Sequence, residues 1–516
     1  MQISRVFVLS LIMIAFFVSG IVAQDVMKIP AAPEGTDISP IIHGDTTETG
    51  EWIDRIYELE GDGYYLVSER LNRPGAKLHI RGDQQGTFLP SINPKQAATG
   101  SYPSVIRHAG DMTLEYVQIS NNNGDIDEWG GIRVTADGAR IEITGCHIED
   151  ERGAGLFTVG NNISAFIRDT RFAKMGERAN PGGNGRIVDL RSHDIDTLVV
   201  QNVTGYLIMD RMLRGMGGSI DYLLWDHNTV FNHQGRHGGL QLGKVNTAII
   251  TNNLFINTQY QGNHDGIEEQ TQPENDDIYL ITIDEINEGT VLEIRNNNFA
   301  WSNEIIEFWN NEPATSKPQI LTPSIAAYLG DAVGKAYFEE FVTFVNTPSV
   351  PMDLLEALFM PEMPDPAPSW MDSDDVGVAN IDASYSSEYV SYTAADNDFP
   401  LGDLNHFPEL KAQWEAFETS VDEDVMIRPE TFELMAAYPN PFNPTTNLSF
   451  ALQRSTEVSM SVYNVLGQRL VFKNLGVYPA GIHSITFDAS HLSSGIYIVQ
   501  MMAGDEVQNV SITLLK

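Results

Sequence analysis

The chain has 516 residues, too many for one ordinary compact domain, and a single cysteine, Cys146. A chain of this length can bury a large core without covalent staples, and one cysteine excludes an intramolecular disulfide framework. The formal net charge of −39 excludes nucleic acid and anionic lipid surfaces as general partners, because both repel a polyanion. The charge favours solubility, and divalent-cation binding by some of the carboxylates is the alternative.

Residues 1–23 carry the pattern of a secretory signal peptide. Arg5 supplies a short positive region, residues 6–18 are apolar, and small residues up to Ala23 follow where a signal peptidase would cleave. A membrane anchor is the alternative, but the apolar run is short and its sequel is polar. No later stretch is apolar enough to cross a bilayer. We therefore expect export through the periplasm, with no membrane-spanning segment after cleavage.

From about residue 110, short β-rich runs recur, and small residues or asparagines close each of them. The closing positions lie 24, 33, 25, 25 and 44 residues apart, at Ile148, Phe172, Gly205, Val230, Phe255 and Phe299. A second set of strands is predicted between them, at 132–134, 156–159, 187–190, 207–209 and 240–242. A base period near 25 predicts a parallel β-helix, because stacked coils share a core that one coil cannot bury alone.

Asparagines fall at the predicted corners of the coils. Asparagine tolerates left-handed backbone, and at a corner it can hydrogen-bond to the asparagine one coil above. The residues concerned are Asn252, Asn253, Asn296, Asn297 and Asn298. Cys146 falls at an inward turn position, which predicts an inert core residue.

The succession LEYVQISNNN, GGIRV and IEITGCHIED resembles the right-handed β-helix proteins of the pectate-lyase-like superfamily, over roughly residues 75–310. The resemblance implies polysaccharide binding or cleavage. It also implies that a lyase of this kind would use Arg or Lys as its base, and Ca²⁺ or further cations to neutralise the uronate carboxylate. The resemblance is strong for fold and weak for activity, because one fold hosts many functions.

A lyase needs a base, a group that neutralises the carboxylate and an acid for the leaving group. Aligning the second strand set by its apolar residues places Arg191, Arg211 and Lys244 just past three successive strands, as candidate catalytic residues. Asp189 and Asp210 would lie beside them, as candidate metal ligands. The alternative is a set of structural salt bridges that joins Asp189 to Arg211 and Asp210 to Arg191.

Residues 224–238 concentrate further polar side chains. Arg236 and His237 are candidates for lining a substrate groove, and Trp225 would stack on a sugar if it points outward or join the core if it points inward. The LWDHNT segment is similar to the WIDH motif of pectate lyases, whose aspartate helps to bind Ca²⁺. Here Trp225 and Asp226 are adjacent, so Asp226 and His227 are expected to satisfy backbone groups at a corner.

An acidic insertion, residues 262–277, interrupts the repeat. It could hold Ca²⁺ through Asp265, Glu268 and Glu269, but its spacing fits no EF-hand, which favours a solvated loop. No cofactor is certain from the sequence, and Ca²⁺ is the candidate.

The tail from residue 438 has alternating β segments split by Pro, Gly, Asn and Ser, which predicts a small antiparallel sandwich. Its motifs YPNPFNP, VYNVLGQ, AGIH and SSGIYIVQ resemble the C-terminal sorting domain of type IX secretion systems. The residues that carry the sorting motif are Tyr438, Pro439, Asn440, Pro441, Phe442 and the closing Lys516. The resemblance implies the type IX secretion machinery as partner, and a secreted or outer-membrane-surface location. A plain immunoglobulin-like spacer is the alternative.

The fold class predicted is all-β, a right-handed parallel β-helix followed by a small antiparallel β-sandwich. The tail carries equal numbers of basic and acidic residues, so the net negative charge lies upstream and marks a domain boundary. The predicted units are an N-terminal cap with first coils, the β-helix, an acidic C-terminal cap, a linker and the sorting domain: 24–110, 111–320, 321–418, 419–437 and 438–516. We expect a protein that acts on polysaccharide, with an anionic-glycan lyase as the candidate enzyme and a non-catalytic glycan-binding or adhesion β-helix as the alternative.

Overall fold

The computed structural model describes residues 25–96, 102–121, 131–176, 184–264, 278–287, 289–362, 364, 368, 376–420, 432–434, 440, 442–452, 456–464, 468–478, 481–490, 492–504 and 506–515. The predicted signal peptide, most of the acidic insertion and of the linker, and Tyr438, Pro439, Pro441 and Lys516 lie outside these residues. The described chain forms a long parallel β-helix and a small antiparallel sandwich.

From the third coil onward, the coils of the β-helix contribute strands to three parallel sheets in turn, and the first two coils contribute strands to two of these sheets. Sheet 1 contains Val26–Ile29, Ile56–Leu59, Leu78–Gly82, Met112–Glu115, Arg140–Thr144, Ile163–Arg168, Ile195–Gln201, Ser219–Asp226, Lys244–Thr251 and Val291–Arg295. Sheet 2 contains Thr36–Asp37, Tyr64–Val67, Ser91–Pro94, Gln118–Ser120, His147–Glu149, Arg171–Met175, Thr204–Ile208, Thr229–His233, Leu254–Thr258, Asn297–Ala300 and Tyr337–Phe338. Sheet 3 contains Ile106–His108, Ile132–Val134, Ala154–Thr158, Arg186–Asp189, Arg211–Arg214, Leu240–Gln241, Tyr279–Thr282 and Gln319–Leu321.

The predicted period is confirmed by the register of sheet 2. The predicted closing positions are direct strand partners from coil to coil, in the order Ile148, Phe172, Gly205, Val230, Phe255, Phe299. The coils therefore stack in the register that the sequence period predicts. The strands begin at Val26, well before the residue where the repeat becomes visible in the sequence.

A left-handed residue turns the chain from sheet 1 into sheet 2 in coil after coil. Asn202, His227, Asn252 and Asn296 occupy this corner with φ between 50° and 59°. The next residue points inward and forms the predicted asparagine ladder. Asn253 donates from Nδ2 to Asn297 Oδ1 at 2.9 Å and accepts from the backbone N–H of Asn228 at 2.9 Å. Asparagine thus serves both the backbone conformation and the buried hydrogen bonds at these corners.

Cys146 occupies the same ladder position in an earlier coil. It is fully buried, and burial raises the pKa of its thiol to about 12. The predicted inert core role is confirmed, since a thiol with such a pKa carries no thiolate at neutral pH.

One predicted strand is wrong. Residues 207–209 end a sheet 2 strand, Thr204–Ile208, and the strand of sheet 3 is Arg211–Arg214 instead. Only Met209 and Asp210 separate the two strands, and apolar residues lie on both sides of this short break, so the position of apolar residues did not show which part of LIMDRML is the strand of sheet 3. The error shifts the register of sheet 3 at the place where the candidate catalytic residues were aligned.

The end of the β-helix is closed by a set of short helices. Ile305 and Trp309 of the helix Asn303–Asn311 and Ile325 of the helix Pro323–Leu329 are buried against the inner core. A short helix, Val333–Ala336, precedes the last strand of sheet 2, and Asn263–His264 pairs with Thr315–Ser316 in a small antiparallel sheet.

The chain then turns back along the β-helix. We call residues 340–420 the strap. It contains the helices Met352–Leu358 and Pro408–Ser420 and the 3₁₀ turns Val378–Asn380, Val390–Thr393, Asp396–Asp398 and Leu404–His406. Its apolar residues form a second core with the outer face of sheet 2, where Tyr206 stacks on Phe231. The strap therefore covers sheet 2 rather than only capping the last coil.

The tail forms two antiparallel sheets, Glu433–Leu434, Thr445–Leu452 and Gly481–Asp488 in one, and Arg469–Tyr478, Thr456–Asn464, Gly495–Ala503 and Glu506–Leu514 in the other. Its core is separate from that of the β-helix. The N-terminal part of the chain adds one short helix, Ser39–His43.

Candidate functional site

A row of arginines lies along the outer face of sheet 3. One position of each strand in sheet 3 is in register from coil to coil. In chain order it is occupied by Arg107, Arg133, Phe157, Asp189 and Arg214. The neighbouring positions Ile132, Leu156, Val188, Leu213 and Leu240 are buried in the inner core. Since side chains alternate between the two faces of a strand, the arginine row points outward, with coils about 4.8 Å apart.

A second pair of arginines stands beside this row, because Arg186 is the strand partner of Arg211. Arg191 follows the strand Arg186–Asp189 in a left-handed turn and lies 5.7 Å from the centre of the Phe157 ring, and Arg133 lies 4.7 Å from the same ring. We call this surface the arginine face, and it consists of Arg107, Arg133, Arg186, Arg191, Arg211 and Arg214. Five of these arginines lie on strands of sheet 3 and Arg191 lies in the turn after one of them, and Arg186 and Arg211 are almost completely buried. The cluster stands out in a chain with a net charge of −39.

Two buried carboxylates neutralise part of this charge. Asp189 pairs with Arg186 at 3.3 Å and with Arg214 at 3.4 Å. Asp210 pairs with Arg186 and, at 3.1 Å, with Arg211. Burial alone would raise the pKa of Asp210, but Arg211, Arg186 and His237 outweigh it and hold that pKa well below its usual range. Asp210 is therefore an anion at any physiological pH.

His237 is bound to this anion. Its Nδ1 lies 2.6 Å from Asp210 Oδ1, and 13% of the side chain is exposed. Burial lowers the pKa of His237, against the opposing effect of Asp210, so the ring is neutral near pH 7. Since Asp210 accepts the Nδ1 proton, the lone pair of the neutral ring is on Nε2.

A second histidine fixes Asp210 from the interior. The Nε2 of His233 lies 2.8 Å from the backbone oxygen of Asp210, and its Nδ1 accepts from the backbone N–H of Gln259. His233 is fully buried. Asp210 is thus held at its carboxylate by Arg186 and Arg211 and at its backbone oxygen by His233.

The predicted ladder of Arg191, Arg211 and Lys244 is not formed. The partner of Arg211 is Arg186, 25 residues earlier, and Lys244 begins a sheet 1 strand opposite Ser219. Lys244 is largely exposed and pairs with Glu285 at 3.2 Å. The alignment failed because it used residues 207–209 as the strand of sheet 3. The salt bridges that do form also differ from the predicted alternative, since Asp210 pairs with Arg186 and Arg211 rather than with Arg191.

The other predicted site residues divide between core and surface. Trp225 is fully buried in the inner core, so the inward alternative is correct and its candidacy as a sugar-stacking residue is wrong, because an inward ring cannot meet a ligand. Arg236 precedes His237 in the turn before the strand Leu240–Gln241 and is partly exposed. Asp226 lies at a corner, where it accepts from Thr251 at 2.7 Å and pairs with His227 at 2.8 Å.

The predicted metal ligands Asp189 and Asp210 are already neutralised by arginines. Within the described part of the chain, no group of three or more His, Cys, Asp or Glu side chains is arranged to hold a metal ion. Asp265, Glu268 and Glu269 lie outside the described residues. The arginine face thus offers charge for an anion rather than ligands for a cation.

Sequence reasoning missed Arg107, Arg133, Arg186, Arg214 and Phe157. A usable signal was present for part of this set. Asp189 and Arg214 are 25 residues apart, as are Arg186 and Arg211, and this is the base period of the repeat. Alignment by the period, instead of by local apolar residues, would have brought these four side chains together.

The sandwich carries the other functional element. Asn440 accepts from the backbone N–H of Thr513 at 2.8 Å and donates to the backbone oxygen of Ser511 at 2.9 Å. Phe442 is buried, and its backbone N–H donates to Thr513. The opening motif of the tail therefore holds the last strand, Glu506–Leu514, in place.

The family described as "Secretion system C-terminal sorting domain" matches residues 436–514. The tail is a type IX sorting domain, which directs the protein to the type IX secretion machinery and to a secreted or cell-surface location. The search of curated proteins finds no match to the chain. Among the described residues, no helix is both long and apolar enough to cross a bilayer.

Proposed function

We propose that the β-helix binds an anionic polysaccharide outside the cell, through the arginine face. The observation that carries the proposal is the concentration of arginines on sheet 3 and in the turn after its strand Arg186–Asp189, in an otherwise strongly acidic chain: Arg107, Arg133, Arg186, Arg191, Arg211 and Arg214. Because the rest of the chain is strongly acidic and repels polyanions, its charge favours this face for an anionic ligand.

The geometry of the face supports a linear ligand. Its charges follow the axis of the β-helix from coil to coil, and a polyuronate presents carboxylates at regular intervals along its chain. Guanidinium groups bind carboxylate and sulfate in a planar, bidentate manner. Arg107 and Arg191 are exposed, and both Arg133 and Arg191 lie against the Phe157 ring. Exposed arginines would make first contact, and the buried pairs would fix the shape of the surface.

The test is a binding measurement on the exported chain with alginate, polygalacturonate, chondroitin sulfate and heparin, by affinity electrophoresis and by calorimetry. We expect binding to at least one polyanion, weakening as salt increases, and no binding to a neutral glucan. Arg191→Gln and Arg107→Gln should each weaken binding about tenfold, the loss of one charge-assisted contact of roughly 1.4 kcal/mol.

Arg140→Gln is the matched control. Arg140 also stacks on a phenylalanine, Phe166, at 4.3 Å, but it lies on sheet 1. Its substitution should leave binding unchanged. Equal losses in Arg140→Gln and Arg191→Gln, or no binding to any of the four polyanions, would overturn the proposal.

A further inference from the structure

We propose that the sorting domain docks on the type IX secretion machinery through the outer face of its larger sheet, and that this face fits an apolar protein surface of low charge. The sheet consists of Arg469–Tyr478, Thr456–Asn464, Gly495–Ala503 and Glu506–Leu514. The tail is the part of the chain that directs it to the machinery, and the physical properties of its surfaces decide which of them can make the contact. This role of the tail is independent of the arginine face and of its ligand.

The strand Gly495–Ala503 is apolar on both of its faces. Its inward side chains are buried in the core of the sandwich, and its outward apolar side chains are 41% to 53% exposed. The inward residues are Tyr497, Val499 and Met501, and the outward apolar residues are Ile496, Ile498 and Met502. An antiparallel sheet with one face in water usually carries polar residues on that face. The fold of the sandwich therefore uses only one of the two apolar faces of this strand.

Exposed apolar side chains of two other strands join the outer face. Met502 is paired with Val507 of the last strand, which is 45% exposed. Gln500 lies between Ile498 and Met502 on the same face. Across one serine of the neighbouring strand, Gln500 is in register with Phe472 of the edge strand, which is 58% exposed. We call the exposed apolar residues of this surface the docking face, and they are Phe472, Ile496, Ile498, Met502 and Val507.

The surface around the docking face carries little charge. Among the described outward positions of the sheet, Glu457 and Arg469 are charged, and they lie near opposite ends of the strand Thr456–Asn464. The other outward residues are neutral and polar: Ser459, Ser461, Tyr463, Asn474, Gln500, Asn509, Ser511 and Thr513. A protein surface can therefore cover the docking face without burying an unpaired charge, which is the most costly part of desolvation.

The size of the docking face suits a transient contact. Each of its side chains is about half exposed, so at roughly 150 Å² for a large side chain they offer on the order of 350 Å² of apolar area. Patches of this size on a monomer are often functional. A stable complex buries about 800 Å² on each partner, which is more than twice this area. The docking face therefore fits recognition followed by release, as an export signal requires.

A second copy of the chain would fit the docking face less well than the secretion machinery does. Each of two copies would bring a net charge of −39, and their repulsion opposes association. The docking face also has less than half of the area that a stable pair would bury on each chain. The tail itself carries equal numbers of basic and acidic residues, so it can approach an apolar partner without adding to the repulsion.

The first test measures export of the full chain in a bacterium that has a type IX secretion system. The variants are Phe472→Thr and the double variant Ile498→Thr with Met502→Thr, because threonine keeps the strand propensity and removes most of the apolar contact. We expect the secreted and cell-surface fraction in an immunoblot to fall at least about fivefold, with the chain retained in the periplasm. Val291→Thr is the matched control, because Val291 is 49% exposed on the outer face of sheet 1, and it should leave export unchanged.

The second test locates the contact without removing an apolar side chain. A photo-reactive phenylalanine analogue replaces Phe472, and mass spectrometry identifies the proteins that it crosslinks in living cells. The same analogue in place of Phe88, which is 60% exposed in an early coil of the β-helix, is the control. We expect a component of the secretion machinery to be crosslinked from position 472 and not from position 88. Amide hydrogen exchange at Val499 and Met501 checks that the tails of the threonine variants are folded.

Normal export of both threonine variants with folded tails overturns the proposal, and so does an equal loss of export in Val291→Thr. If amide exchange shows that the tails of the variants are unfolded, the crosslinks decide. A machinery component crosslinked from position 472 alone then supports the docking face, whereas its absence there, or its equal presence from position 88, overturns it. A crosslink from position 472 only to a second copy of the chain overturns the choice of partner.

Discussion

The asparagine ladder should carry much of the stability of the β-helix, and Asn253→Ala tests it. Asn253 is fully buried; its Oδ1 accepts from Asn228 N–H at 2.9 Å, and its Nδ2 donates to Trp225 O at 2.8 Å. Alanine leaves both backbone groups without this partner, while Asn297 Oδ1 keeps its bond from the backbone N–H of residue 253. A buried polar group without its partner costs about 1–3 kcal/mol, so we expect a loss of about 2–5 kcal/mol in the free energy of unfolding.

The assay is unfolding in guanidinium chloride, followed by circular dichroism. Asn253→Asp is an informative second variant. It keeps the acceptor oxygen but replaces the donating Nδ2 by an oxygen that faces Trp225 O and Asn297 Oδ1, so it should cost at least as much as alanine. Asn246→Ala is the control, because Asn246 is exposed and its side chain bonds Asp221 and no other of the described residues. Midpoints for Asn253→Ala and Asn253→Asp no lower than that of Asn246→Ala would refute the ladder argument.

Thr204→Val removes the hydroxyl that bonds Asp403 at 2.6 Å and the ring of His406 at 2.8 Å, so the strap should become about tenfold more susceptible to limited proteolysis. If the strap of Thr204→Val is cleaved no faster than that of the wild type, this contact does not hold the strap on sheet 2. Burial lowers the pKa of His233 to about 4, below the value of about 6.5 in an unfolded chain, so its contribution to stability is complete above pH 6.5 and is lost as the pH falls towards 4. The unfolding midpoint should decrease as the pH is lowered from 6.5 to 4, and it should decrease less steeply for His233→Gln. Equal slopes for the two proteins would argue against this role of His233. Asn440→Ala removes both side-chain bonds to the last strand, so amide exchange at Thr513 should accelerate and the secreted fraction should drop several-fold in an immunoblot of culture supernatant. Unchanged exchange would show that the motif does not hold this strand.

The predictions from sequence succeeded where a local pattern determines the structure. The period near 25 predicted the partners from Ile148 to Phe299, and the corner asparagines predicted the ladder, because both depend on residues one coil apart. The strap could not be predicted in this way. Thr204 and Asp403 are 199 residues apart, and their contact depends on how the acidic segment folds back over sheet 2. The error at 207–209 is local, because only Met209 and Asp210 join two strands that both contain apolar residues, and the apolar pattern did not show where one strand ends.

The positions of the polar and apolar surfaces bear on where a ligand can bind. The outer face of sheet 2 is covered by the strap, and the middle of sheet 1 carries the apolar cluster of Phe166, Val199 and Leu224. Sheet 3 remains, and it holds buried ion pairs. Replacing buried ion pairs by packed apolar residues is often neutral or stabilising, so the β-helix gains little stability from Arg186, Arg211 and their partners. If sheet 3 had to be only stable, apolar or neutral residues would serve on its outer face, as Val199 and Leu224 do on the outer face of sheet 1. Stability alone therefore does not account for these arginines, which agrees with the proposed binding of an anion at the arginine face.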